Sequence, residues 1–150
     1  MKSLKINHAA VWILVLIHQI IGAMWFSPFL FAEKWMQLVG KSMQDFESAT
    51  ITPYIVSIIN AIVMNYAMAY LFKKLNVANF MTGMYYAFIF WFAFLFVEIL
   101  TYNSFELRPV GLALIDGGKS LVTFLLSGFV LGTWKKYNTE NTAGKKETAV

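Results

Sequence analysis

Asp116 and Lys119 offer this chain the most chemistry, because both stand inside an apolar run. A charge at mid-membrane costs on the order of 2.5–3.5 kcal/mol on insertion scales. At i, i+3 on a helix the two can partly neutralise one another. Gly117 and Gly118 between them carry no bulk, so another helix or water can come close. Asp116, Ser120, Thr123 and Ser127 recur at i, i+4, i+7 and i+11, which puts them on one face. Two readings stay open: a buried pair that fixes helix packing, or a polar cavity that binds a small ion or polar molecule.

Other segments carry isolated polar residues: His18 and Gln19, Asn60 and Asn65, and Glu98. Counting inward along each helix puts His18 about 10 Å deep, Asn60 about 12, Glu98 about 5, Asp116 about 9 and Lys119 about 13. All fall in the same half of a bilayer, which predicts one polar cluster of His18, Gln19, Asn60, Glu98, Asp116, Lys119 and Ser120. Enzyme signatures are missing: there is no His-Glu-x-x-His, no Gly-x-Ser-x-Gly and no phosphate-cradling glycine loop. His8 and His18 are too poor a set for a metal, and the absence of cysteine excludes thiolate sites. No cofactor, no metal and no enzymatic activity are expected.

The elements that must position these residues are four apolar segments, at 8–26, 52–72, 78–102 and 109–134. Each is near or above the roughly 20 residues needed to span a bilayer. The last, as a helix, would be about 39 Å long. The chain is 59% hydrophobic and 13% charged, too little polar sequence to cover four such helices in water. The expected fold is all-α: a membrane-spanning four-helix bundle over 1–134, with a polar, disordered cytoplasmic tail over 135–150. A net charge of +4 does not argue for nucleic acid, because the basic residues flank the spans.

Lys2 and Lys5 precede a run too long, and too poor in small-x-small sites, for a cleaved signal peptide, so a retained first helix is expected. Lys2, Lys5, Lys73, Lys74, Lys135, Lys136, Lys145 and Lys146 fall on one side, against Lys34, Lys41 and Arg108 on the other. The basic-residue rule then places both termini in the cytoplasm. Residues 29–40 are too short to span and amphipathic, with Phe31 and Trp35 on the apolar face. They are expected in the outer interface, stopped at Gly40. Thr52-Pro53 reads as a capping hydroxyl followed by a first-turn proline, and Ser42 with Asp45 as a second cap. Gly128-x-x-x-Gly132 is a close-packing motif that can seat the last helix or pair two copies.

Gly22-Ala23-Met24-Trp25-Phe26-Ser27-Pro28, followed by Phe31 and Trp35, resembles the opening motif of a widespread bacterial family of small four-helix membrane proteins of uncharacterised function. Phe105-Glu106-Leu107-Arg108-Pro109 with Ile115-Asp116-Gly117-Gly118 resembles that family's second motif. The resemblance covers about residues 6–134. It implies a four-helix bundle in a bacterial inner membrane and supplies no activity. Where the family often has an aromatic residue and a histidine, Lys119 and Ser120 stand here.

The leading expectation is a non-enzymatic, oligomeric membrane protein whose outer-half cluster binds or conducts a small polar solute or ion. Asp116 is its principal charge, Lys119 the partner, and His18 and Glu98 the walls. Gly22, Trp25, Ser27, Pro28, Trp35 and Arg108 form the rim. The alternative is a structural or accessory subunit that recruits a partner through its helix faces, where Gly128, Gly132 and the aromatic third segment matter more. Small drug-export four-helix transporters carry an essential glutamate in the first helix, and this first helix has none.

Overall fold

A computed structural model describes residues 4–47, 50–77 and 79–137. Lys2, Ala78, Lys145, Lys146 and the tail from Asn138 onward lie outside the described residues. Four stretches are long and apolar enough to cross a membrane: α1 (His8–Trp25), α4 (Thr52–Lys74), Phe80–Phe105 and α7 (Val110–Thr133). This is a multi-pass membrane protein. In the apolar 18-residue window of each span only 17% to 33% of the residues are buried, so most of each helix faces outward with apolar side chains such as Leu16, Val63 and Phe94.

Local sequence explains the ends of these helices. Asn7 caps α1, its Oδ1 accepting from the Ala10 amide at 3.4 Å, and Asn79 caps α5 (Phe80–Phe90) through Thr82 N at 2.9 Å. After Trp25 the chain reverses. Ser27 O accepts from Leu30 N at 3.0 Å across Pro28, whose fixed φ suits the second position of a turn. The reversal leads into α2 (Ala32–Val39), which ends at Gly40 with φ +72°, a left-handed stop that glycine adopts without strain. Next comes α3 (Met43–Glu47). The Ser42 amide and hydroxyl donate to Asp45 Oδ2 at 2.7 and 2.9 Å and hold that carboxyl below its usual value. Thr52 does not cap α4. Ile51 occupies the capping position with no side-chain bond, and Thr52 is already helical because Pro53 presets the first turn.

The third span is not a uniform helix. α5 gives way to a π-helical turn at Trp91–Phe96 and then to α6 (Val97–Phe105). The Val97 amide bonds the Phe92 carbonyl, five residues back. In an α-helix, residues five apart diverge by about 140°. Here Trp91 and Phe96 stack at 4.8 Å, on one face.

α7 is the axis of the molecule. It touches α1, α2, α4, α5, the π turn and α6, whereas α5 packs chiefly on α7. At the end that holds the termini, an apolar core joins Val11 and Leu14 of α1, Met68 and Phe72 of α4, Ala87 of α5 and Leu131 of α7. There α5 and α7 meet backbone to backbone. A Cβ on Gly83 would lie 2.3 Å from Gly128 O, and one on Gly132 would lie 2.9 Å from Asn79 O. The Gly128-x-x-x-Gly132 motif therefore seats α7 against α5 within one chain. A two-residue antiparallel ladder, β1 (Leu4–Lys5) with β2 (Lys136–Tyr137), closes this end, and Asn7 Nδ2 donates to Trp134 O at 3.1 Å.

The contact predicts a contrast between glycines. Gly128→Val should lower unfolding free energy in detergent by about 1–3 kcal/mol through overpacking. Gly22→Ala should be neutral or gain up to about 1 kcal/mol in helix propensity. Its added Cβ meets only Lys119 Cε, at an ordinary 3.9 Å. Denaturant titration followed by tryptophan fluorescence reads both.

Candidate functional site

Three indoles converge on one stretch of α7 at the end that carries α2. Trp25, the last residue of α1, donates from Nε1 to Ile115 O at 3.0 Å. Trp35 of α2 donates to Asp116 Oδ1 at 3.0 Å. Trp91 of the π turn lies 3.1 Å from both Gly117 O and Ser120 Oγ. The sequence dictates how they get there. The Ser27-Pro28 reversal folds α2 back over the end of α1, with Ser27 Oγ donating to Met24 O at 2.7 Å. It aims Trp25 and Trp35 at neighbouring residues of α7. Trp25 rests on Phe31 at 4.7 Å, and Trp35 on Phe26 at 5.3 Å and Phe46 at 5.8 Å.

Gly117 and Gly118 make the room. A Cβ on Gly118 would lie 3.1 Å from Trp25 Cζ2, and one on Gly117 would lie 2.5 Å from Phe96 Cδ2. Each glycine thus admits an aromatic ring from a different side. The π turn is what lets Trp91 and Phe96 arrive together.

Asp116 and Lys119 are both half-buried, yet no ion pair joins them. Asp116 takes its one hydrogen bond, from Trp35, on Oδ1. The Lys119 stem runs past Gly22 of α1, and its ammonium makes no hydrogen bond or ion pair with the described residues. Asp116 Oδ2 likewise has none. The two charges retain capacity for another group.

A second polar group lies deeper. Asn65 Nδ2 donates to Ala61 O at 2.8 Å, which fixes the amide, because a carbonyl only accepts. Asn65 Oδ1 then accepts the Ser127 hydroxyl at 2.7 Å. Having given its one hydrogen there, Ser127 Oγ can only accept from His18 Nε2, at 3.1 Å. His18 therefore carries a hydrogen on Nε2. All three residues are buried, and they tie α1, α7 and α4 together.

Residues 9–132 match the family described as protein of unknown function, DUF1761. The chain belongs to that family. No curated protein and no solved structure shows a match to the chain.

Within this DUF1761 chain the residues expected to cluster fall into separate places. Asp116 and Ser120 join the indole group, Lys119 lies beside it against Gly22, and His18 joins Asn65 and Ser127. Gln19 pairs instead with Ser57, whose hydroxyl donates to Gln19 Oε1 at 2.5 Å. Asn60 and Glu98 are exposed on the bundle's outer surface and touch neither group, and Arg108 is exposed and paired with Glu106. Lys119 stays within electrostatic reach of His18, but the hydrogen-bond partner of His18 lies deeper, because the helix ends are not level. α1 stops at the Ser27-Pro28 reversal, so His18, about 10 Å from the end of α1, meets Ser127, roughly 26 Å along α7. An asparagine within a span suits interhelical hydrogen bonding, as Asn65 shows with Ser127, but sequence reasoning did not pair these two, and it missed Trp91 as a donor and Asn103, which is buried with its Nδ2 unpartnered among the described residues. Among the described residues no three His, Asp or Glu side chains gather as a metal site.

Removing the middle of the deeper relay should be costly. Ser127→Ala leaves Asn65 Oδ1 and the His18 N–H without a partner and should lose about 1–3 kcal/mol of stability in detergent. Glu98→Gln, on the exposed surface, should stay within about 0.5 kcal/mol of the parent.

Proposed function

We propose that this chain is a non-enzymatic protein of the bacterial cytoplasmic membrane, with both termini cytoplasmic, that binds or conducts a small polar solute or ion. The site is Asp116 and Lys119, beneath the interfacial helix α2. The observation that carries this reading is the unused capacity of two opposite charges half-buried in a spanning helix. Such groups are expensive in a bilayer, and a purely structural pair would be expected to neutralise itself. α2 lies at the end where Asp116 sits and is attached to it by the Trp35 bond, so a shift of α2 would uncover the carboxylate. The lysine rule supports the orientation: Lys5, Lys73, Lys74, Lys135 and Lys136 lie at the opposite end from Lys34, Lys41 and Arg108.

The accessory-subunit reading draws less support, because Gly128 and Gly132 are occupied by α5 of the same chain.

Flux of protons, potassium and chloride into vesicles holding the purified protein tests the proposal. Asp116→Asn should reduce flux by about ten-fold or more, the equivalent of losing a charge-assisted contact. Trp35→Phe, which removes only the indole donor, should alter flux while the protein still folds. Equal flux for parent and Asp116→Asn, or none from either, overturns the reading.

A further inference from the structure

α4 buries Ala61, Asn65, Met68, Ala69 and Phe72 against the rest of the bundle. At about 100° per residue, Val56, Asn60, Val63, Ala67 and Tyr70 fall on the opposite face, and all of them are exposed. They recur at alternating steps of four and three residues, the repeat of a helix–helix seam. Lys74, one turn further, marks the aqueous end, its ammonium over the Tyr70 ring at 5.6 Å.

The apolar members of this face can rest against lipid, but Asn60 cannot. It lies roughly 12 Å from the start of a helix about 35 Å long, inside the hydrocarbon, and its side chain is too short to reach the interface. Its amide brings two donor hydrogens and an acceptor oxygen. None of them meets a partner among the described residues. An amide left so in hydrocarbon is costly, and no water is there to relieve it.

We infer that α4 pairs along this seam with α4 of a second copy of the chain, the two Asn60 amides hydrogen-bonding across a two-fold axis along the membrane normal. A second copy suits Asn60 because an amide is donor and acceptor at once, so the same residue on a symmetry-related helix supplies what each lacks. An axis along the normal brings both amides to one depth. A single asparagine in such a seam fixes register and partner number, and interhelical amides hold helices together in lipid. Ala67, two turns along, lets the helices approach closely. The inference is independent of the proposed solute site.

Full-length copies carrying a donor or an acceptor dye at the carboxyl terminus are mixed in phosphatidylcholine vesicles and diluted with lipid. Energy transfer should fall along a monomer–dimer curve. Asn60→Ala should weaken the dimer about ten-fold, while Asn60→Gln, which keeps an amide, should stay within about three-fold of the parent. Glu98→Gln, exposed on another span, should change nothing. These positions are exposed, so the fold tolerates the substitutions. The chain has no cysteine, so single cysteines map the face. Val63→Cys should give a disulfide-linked dimer on oxidation, because seam positions approach to disulfide range across the axis. Phe94→Cys, also exposed, should not. A monomer at every dilution overturns the pairing. An unweakened dimer in Asn60→Ala, or Phe94→Cys crosslinking as readily as Val63→Cys, overturns the seam.

Discussion

A polar group inside a bilayer must find its partner within the protein, and α7 carries Asp116, Ser120, Thr123 and Ser127 along one face. That constraint organises the molecule. Ile115 O, Asp116, Gly117 O and Ser120 receive indole N–H groups from α1, α2 and the π turn. An indole suits this work because it brings one donor on a large apolar body, so it satisfies α7 without adding a polar atom that needs satisfying in turn. A bond to an ionised carboxylate is charge-assisted and stronger than one to a neutral carbonyl. The bundle is thus assembled around one helix, which explains why α5 packs on α7 and little else.

The two ends of the bundle solve the packing problem differently. At the terminal end, glycines bring the α5 and α7 backbones into contact and an apolar core fills the remaining space. At the α2 end, Gly117 and Gly118 admit aromatic rings instead of a helix backbone. The same residue type therefore yields a tight seam in one place and a socket for indoles in the other. Between them the His18–Ser127–Asn65 relay joins three helices by hydrogen bonds whose direction is fixed from the Ala61 carbonyl outward. A relay so fully satisfied reads as a structural tie. The unsatisfied charges lie above it.

What could be read in the sequence was what short segments decide alone. The four spans, the short amphipathic α2, the Gly40 stop and the Ser42–Asp45 cap all follow from local pattern. Relations between helices were less legible. Of two asparagines on α4, Asn60 drew attention by its depth, but Asn65 faces α7; the sequence does not reveal which face of a nearly all-apolar helix turns inward. The π turn left no signal either, since its cause is the fit of Trp91 and Phe96 to Gly117, a residue far along the chain. The aromatic residues of that span divide between surface and core. Phe88, Phe92 and Phe94 are indeed exposed, while Trp91 is buried.

The placement of Lys119 bears on why two charges were left unjoined. At i, i+3 on a regular helix, Asp116 and Lys119 are close enough to pair. Each is drawn aside by a different neighbour: Trp35 holds the carboxylate toward α2, while Gly22 leaves a groove along α1 for the lysine stem. Both neighbours belong to the stretch around the Ser27-Pro28 reversal. One turn thus aligns two indoles on α7, admits the lysine beside α1 and keeps the carboxylate under α2. The separation of charge on α7 is imposed from the first helix and its turn, and a change in how α2 seats would alter the spacing of the pair.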